Sequence, residues 1–399
     1  MRILHTSDWH LGQNFKTHSR EFEHKKFLDW LLAQIEDKNI DVLIVAGDIF
    51  DSSNPPNYAL KMYHNFLAQI IKTNCRDVII VAGNHDGVST LEISKDLLKF
   101  LNIYVVALGE DIDEVIIKIE RDNELKAIIC AVPYLRDRVL RNANGNKTFS
   151  QMQNELRDGI KNYYQNIYNR AKELSCDVPI IATGHFTTTG ANISQDSERE
   201  IYIGKLENVD SQILTSFDYV AMGHIHKPQK ISNRDNMRYS GSPIPLSFSE
   251  SNNQKSVVIV EFEDSKRVVS ILEIPTFKKL YRIKDSFENI KKRIEDIADK
   301  SNPPFVEIIV KDSDILNFDI NELIRTSNGV EILTFQREHK IEDRVLDMQD
   351  KNITLQELNP LDVFRERLDT QKEIFSKDMQ KSLENLYIEV LKECEDENN

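Results

Sequence analysis

Val78-Ile79-Ile80-Val81-Ala82-Gly83-Asn84-His85-Asp86 runs from unbroken apolar, largely β-branched residues straight into a glycine, an amide, an imidazole and a carboxylate. An apolar run of this length reads as a strand buried on both faces. The arrangement recurs. Ile3-Leu4-His5-Thr6 leads to Ser7-Asp8-Trp9-His10, and Val42-Leu43-Ile44-Val45-Ala46 leads to Gly47-Asp48. Ile180-Ile181-Ala182-Thr183 leads to Gly184-His185, and Tyr219-Val220-Ala221-Met222 leads to Gly223-His224-Ile225-His226. Helical patterns lie between the early runs. Phe22 to Ile35 carries apolar residues at Phe27, Trp30, Leu31, Leu32 and Ile35, and Tyr58 to Ile71 repeats this with Leu60, Tyr63, Phe66, Leu67 and Ile70. Strands alternating with helices of this length predict an α/β sheet covered by helices.

The texture changes near Pro275. Phe287 to Ala298 reads as a helix, and Phe305 to Lys311 and Val330 to Gln336 read as strands. From Thr354 the pattern is helical, with one apolar cluster at Val363, Phe364 and Leu368 and another at Leu383, Leu386, Val390 and Leu391. The expected division is a first domain over 1–275, a small α+β domain over 276–340, and a helical segment with an acidic tail over 341–399.

The 399 residues carry a formal net charge of −14, with 40% hydrophobic and 29% charged residues. That balance fits a soluble globular protein. Residues 276–399 hold 20 Lys+Arg against 28 Asp+Glu, so more than half of the net charge lies there. Such acidity excludes a protein that coats nucleic acid by charge alone. It does not exclude an enzyme that reaches phosphate through bound metal. No apolar stretch is long enough to span a membrane, and the N-terminus turns polar too early for a signal peptide. Cys75, Cys130, Cys176 and Cys394 are scattered, without CxxC spacing, and read as reduced cytosolic thiols.

The groups that end the apolar runs are Asp8, His10, Asp48, Asn84, His85, His185, His224 and His226. Functional groups gather at the carboxyl ends of strands in an α/β sheet, so these residues are expected to converge on one crevice. Carboxylate, amide and neutral imidazole make a mixed N/O set suited to Mn²⁺, Fe²⁺, Co²⁺ or Zn²⁺. The lack of cysteine among them disfavours structural zinc. Seven of these groups suffice for two metals that share a bridging carboxylate. Two ions about 3.5–4 Å apart clamp a phosphoryl group and lower the pKa of a bound water toward about 7. Gly47, Gly83, Gly184 and Gly223 each precede a candidate ligand, where the absence of Cβ is expected to permit a sharp turn. Singly, a His or Asp after a strand is an ordinary turn residue; the ordered set D-x-H, G-D, G-N-H-D, G-H, G-H-x-H points to a metal centre. His5, His18, His24, His64 and His339 read as surface or satisfied core histidines.

Those five motifs resemble the signature of the calcineurin-like metallophosphoesterases. Further stretches are similar, more narrowly, to the family of nuclease subunits of bacterial SbcCD complexes. They are Met1 to Phe15, Ile44 to Asp51, Ile201-Tyr202-Ile203-Gly204, Tyr239 to Phe248 and Pro360 to Leu368. The resemblance implies a metallophosphoesterase β-sandwich flanked by helices, with a small α+β capping domain and C-terminal helices. It implies two Mn²⁺ ions, one held by Asp8, His10, Asp48 and His226 and the other by Asp48, Asn84, His185 and His224. His85 would contact the scissile phosphate as an acid or transition-state stabiliser. Beside two cations its imidazole is expected to stay neutral unless a carboxylate supports it, and Asp86, next in sequence, is the candidate for that support. A water activated at the metals would displace the sugar oxygen in line. Related archaeal and eukaryotic nucleases carry a second histidine in the loop after Gly47-Asp48. This chain has Asp51 there, and the resemblance assigns it no role.

The implied function is an Mn²⁺-dependent DNA nuclease, an exonuclease on double-strand ends and an endonuclease on single strands and hairpins. Its setting would be DNA repair, recombination and replication. Two alternatives share the fold: a phosphatase or phosphodiesterase for another substrate, and a non-catalytic scaffold. The complete ligand set disfavours the scaffold, and the segments after residue 275 disfavour a simple phosphatase. The chain has no G-x-x-x-x-G-K-[ST] motif, so it is expected to bind no nucleotide. ATP dependence would come from an SbcC-like coiled-coil ATPase docked on the C-terminal helices. A homodimer through the helical part of the first domain is implied as well, in a cytoplasmic setting, nucleoid-associated when on DNA, with no membrane partner. Lys16, Arg20, Lys25, Lys26, Arg136, Arg138 and Arg141 are candidate phosphate contacts.

Overall fold

The computed structural model describes residues 1–140, 149–175, 177–192, 209–263, 266–311 and 328–337, together with Met379, Ser382, Leu383 and Tyr387. Two six-stranded sheets dominate it. The first is ordered Lys266–Glu273, Ser256–Glu263, Arg2–Thr6, Val42–Ala46, Asp77–Val81, Ile103–Val106. The second is ordered Gln229–Ile231, Arg234–Tyr239, Tyr219–Gly223, Ile180–His185, Glu124–Cys130, Ile116–Arg121.

Side chains along the central strands alternate between two cores, as the pleat requires. Val42 and Ile44 face a core shared with Ile129, Ile181, Val220 and Met222 of the other sheet. Leu43 and Val45 face a core shared with Phe27, Leu31 and Ile35 of the helix Glu21–Asp37 and with Tyr63, Phe66 and Leu67 of the helix Asn57–Ile70. The long helix Phe149–Leu174 covers the second sheet through Ile160, Tyr164, Ile167 and Ala171. The layers are therefore helix, sheet, sheet, helix. The strand pattern alone suggests one helix-covered sheet. The molecule forms the sandwich that the resemblance implies. A central strand is buried on both faces in either arrangement, so its apolar run does not say which sheet it joins.

Parallel pairing sets the site. Arg2–Thr6, Val42–Ala46 and Asp77–Val81 run parallel, with Ile3 opposite Val42 and Val42 opposite Asp77. Ile180–His185 and Tyr219–Gly223 are parallel in the other sheet, with Met222 opposite Gly184. All five strands end at one rim, and every candidate ligand follows one of those ends or forms its last residue.

The chain leaves the sandwich after Glu273 and enters a small sheet at Leu280. Leu280–Asp285, Phe305–Val310 and Glu331–Arg337 are all parallel, and the helix Phe287–Ile297 makes the crossover between the first two. Ile283, Ile290, Ile294, Val306, Ile308 and Val310 form its core. Phe305 and Leu280 pack on Phe15 and Phe248 of the sandwich. Among the described residues no helix is long and apolar enough to cross a membrane. Cys75 and Cys130 are buried free thiols, and burial pushes each up to about 12. The helical segment expected over 341–399 lies outside the described residues apart from the four named above. So do Arg141, Cys176, Ile201 to Gly204, His339 and Cys394.

Candidate metal centre

The backbone around the rim is strained. Asp8, His10, Asp48 and His224 have φ values of 54°, 48°, 50° and 93°, in the left-handed region that L-residues avoid. Each such residue costs about 1–3 kcal/mol and persists only where its surroundings over-determine it. The surroundings here are specific. Asp8 N donates to Gly47 O at 2.9 Å, and His10 N donates to Asp48 O at 3.0 Å. Between them Trp9 is buried edge-on against Phe27 and Phe66 and donates Nε1–H to Thr6 Oγ1. That anchor leaves Asp8 and His10 on the opposite side of the loop.

The glycines serve two ends. Gly47 has φ 89° and makes the expected sharp turn. Gly83 and Gly223 are needed for close approach instead. A Cβ on Gly83 would fall on the Asp48 carboxylate, and one on Gly223 would fall on Ala46 O.

All eight residues expected at the site meet. Asp8, His10 and His226 offer ligand atoms within 4.8 Å of one another, and so do Asp48, His185 and His224. Asn84 Oδ1 sits 3.2 Å from His185 Nε2 and 3.1 Å from His224 Nδ1. Asp48 Oδ2 lies 3.5 Å from His10 Nε2 and 3.1 Å from His185 Nε2, between the two groups. His85 stands beside them, its ring centroid 4.9 Å from that of His10. Its Nδ1–H donates to Asp51 O at 2.9 Å, which leaves Nε2 as the outward atom.

The site's relatives are known. Residues 1–228 match the model of the calcineurin-like phosphoesterases, and residues 276–372 match that of the type 5 capsule protein repressor C-terminal domain. The chain is similar to the SbcD component of the SbcCD nuclease of Escherichia coli K12, 39% identical over 98% of this chain and 98% of that one. The chain belongs to the SbcD family of calcineurin-like phosphoesterases. It is also 35% identical to the SbcD component of the Bacillus subtilis SbcCD nuclease, over 65% of this chain and 66% of the other. The Rhodobacter capsulatus member is 33% identical over 65% and 66%.

The donor set of this SbcD-family chain fits a divalent metal. His10 is buried, yet neither ring nitrogen completes a hydrogen bond; a cation satisfies such a group. Burial opposes ionisation of Asp48, but the His185 imidazole against it, with His10 and His85 nearby, holds its carboxyl well below the usual range. Burial likewise works against a charge on His185, yet Asp48 and Asp8 push it up to about 9. A divalent cation beside Asp48 would compete with a proton on His185, so metal binding is expected to release protons.

Two expectations need correction. Asp86 does not support His85. Its carboxylate accepts from the backbone N–H groups of Gly83, Ile49 and Phe50, so it ties the Asn84-His85 loop to the Asp48 loop. The group that holds His85 is the Asp51 carbonyl, and the Asp51 carboxylate lies 3.2 Å from His10 Nδ1. Arg20 is not a phosphate contact. It is fully buried, with Nε on Glu23 and Nη1 on Pro245 O, beneath the Phe15 and Phe305 rings. Sequence reasoning missed Glu250 and Lys255, both buried behind His226. No motif marks them, because their partners are distant in the chain.

His5 and His24 are core histidines; His5 is satisfied by Tyr219 Oη and Met222 O, as expected, whereas neither ring nitrogen of His24 completes a hydrogen bond. Burial pushes each down to about 3 from 6.5. In the unfolded chain each takes a proton below 6.5, and in the folded chain only below about 3. Between those values the unfolded state binds more protons, so this contribution to stability is lost as pH falls. At pH 5 the loss is about 2 kcal/mol per histidine. Urea unfolding of metal-free wild type and His5→Gln at pH 7.5 and pH 5 checks this. The wild type should lose about 2 kcal/mol more than the variant between those values. Equal losses would contradict it.

Proposed function

We propose that this chain is the Mn²⁺-dependent nuclease subunit of an SbcCD-type complex, hydrolysing DNA phosphodiesters at two metal ions. The observation that carries the reading is the Asp48 carboxylate between two histidine-carboxylate groups, with His85 alongside. Asp8, His10, Asp48 and His226 would hold one Mn²⁺, and Asp48, Asn84, His185 and His224 the other. When bound, the ions supply charge neutralisation for the phosphate and a water acidic enough to attack at neutral pH. The protein's own part is orientation and proton handling. His85, with Nδ1–H fixed on Asp51 O, presents Nε2 to the scissile phosphate. There it stabilises charge developing in the transition state or protonates the leaving sugar oxygen.

The small domain over 276–340 acts as a cap beside the rim, and an SbcC-like ATPase engages the helical segment over 341–399. DNA ends and hairpins are the substrates. Linear duplex, hairpin and covalently closed circular duplex, compared under Mn²⁺, test that choice. Linear and hairpin substrates should be cut and the closed circle spared. Equal degradation of all three would remove the requirement for ends.

A second copy completes the assembly. Ile93, Leu97, Phe100 and Leu101 are 84%, 68%, 87% and 44% exposed, Leu97 within the short helix Lys95–Lys99 and the others just after it or after the preceding helix Val88–Glu92. A patch of large apolar side chains on a soluble surface marks an interface. Leu97→Glu with Phe100→Glu should convert a dimer to a monomer in sedimentation velocity while each monomer still binds Mn²⁺. A dimer that persists in the double variant would place the interface elsewhere.

A further inference from the structure

The eight motif residues face the crevice, but each ligand histidine also has a rear ring nitrogen that something must hold. His185 Nδ1 sits 3.0 Å from Ala46 O, and His10 Nδ1 lies 3.2 Å from the Asp51 carboxylate. Behind His226 lies a buried ion pair that the reaction as described does not use. Glu250 ends the turn Phe248–Glu250 and is 0% exposed; Lys255 is 4% exposed.

Every donor of the Lys255 ammonium is engaged. It reaches His226 O at 2.9 Å, Ser242 Oγ at 2.8 Å and Glu250 Oε2 at 2.5 Å. Glu250 Oε2 also accepts from Leu246 N at 3.2 Å. Glu250 Oε1 has no hydrogen bond, and neither does His226 Nδ1, although the two atoms lie 3.5 Å apart. Each is the other's available partner, and a shift of a few tenths of an ångström brings them into hydrogen-bond range. Ser242 belongs to the Gly241-Ser242-Pro243-Ile244-Pro245 run, so the network also gives that segment a structural purpose.

We propose that Glu250 and Lys255 are positioning residues for the metal centre: Glu250 takes the Nδ1–H of His226, and Lys255 clamps the His226 carbonyl. Together they fix both ring and backbone so that the Nε2 lone pair is the one offered to the ion. Two buried charges are costly to desolvate, and an apolar pair of similar size often serves stability as well. Orientation of a ligand accounts for their presence where stability does not. Outer partners of this kind typically change metal affinity by about 10–100-fold.

The inference rests on His226 being a metal ligand, and the test separates the two. Mn²⁺ binding is measured by calorimetry for the full chain as wild type, His226→Ala, and Glu250→Gln with Lys255→Met, with melting in chelator as the control for folding. His226→Ala should lose one site. The double variant should melt near the wild type and bind Mn²⁺ at that site at least about tenfold more weakly. Wild-type affinity in the double variant, with a site lost in His226→Ala, would overturn the positioning role alone. Wild-type binding in His226→Ala would overturn the ligand assignment and the inference with it. If the double variant does not fold, the ¹⁵N shifts of His226 in metal-free wild type decide, with His226→Ala giving the assignment. The Nδ1–H tautomer supports the proposal, and the Nε2–H tautomer overturns it.

Discussion

His85→Gln should lower turnover on duplex DNA by about 10³-fold while Mn²⁺ binding and melting temperature stay near wild type. The size follows from the range for a positioned proton donor, about 10²–10⁴-fold. The separation of effects follows from geometry. His85 lies beside the candidate ligand groups, and its ring is held by Nδ1–H donating to the Asp51 carbonyl. It is half-buried at the open side of the crevice, so its loss leaves no deep cavity. A group that acts only in the transition state lowers kcat and leaves KM in place. Single-turnover cleavage of end-labelled duplex, with Mn²⁺ calorimetry on the same preparation, checks it. Undiminished cleavage would remove His85 from the reaction. Loss of a metal site would make it a ligand instead.

Asp48→Ala should cost more, about 10⁴-fold or greater in turnover, or about 5.5 kcal/mol of barrier. Asp48 Oδ2 lies between His10 Nε2 and His185 Nε2, so one carboxylate serves both groups. Its Oδ1 also accepts from His85 N at 2.9 Å, which ties the Asn84-His85 loop to the same side chain. On the proposed two-metal reading, removing it would disturb both metal positions and the placement of His85 together, so the losses would act as one and not add. Metal content after equilibrium dialysis should fall from two ions per chain to one or none. Two ions retained would deny Asp48 its bridging place.

How far these residues were legible depended on where their partners lie. Asp8, His10, Asp48, Asn84, His85, His185, His224 and His226 were readable because each follows or ends a buried strand, and strand burial is visible as an unbroken apolar run. The helix Glu21–Asp37 was readable because Phe27, Leu31 and Ile35 repeat at helical spacing. The assignment of strands to two sheets was not readable, since the pleat hides whether helix or sheet covers a face. Asp86 misled because adjacency in sequence is not adjacency of side chains: its carboxylate turns back to the Asp48 loop. Glu250 and Lys255 left no trace because their counterpart, His226, is more than twenty residues away. Arg20 reads in sequence as a candidate phosphate contact near the first motif, yet Glu23 and two phenylalanines enclose it.

The most direct test of the account is the cleavage of end-labelled linear duplex by the purified chain. It is run in Mn²⁺ and in chelator, each with and without an SbcC-like ATPase and ATP, beside a phosphomonoester assay of the same samples. The account predicts strand cleavage that requires Mn²⁺, disappears in chelator, and rises with the ATPase and ATP. Absence of cleavage in every condition, with strong Mn²⁺-dependent phosphomonoester turnover, would contradict it.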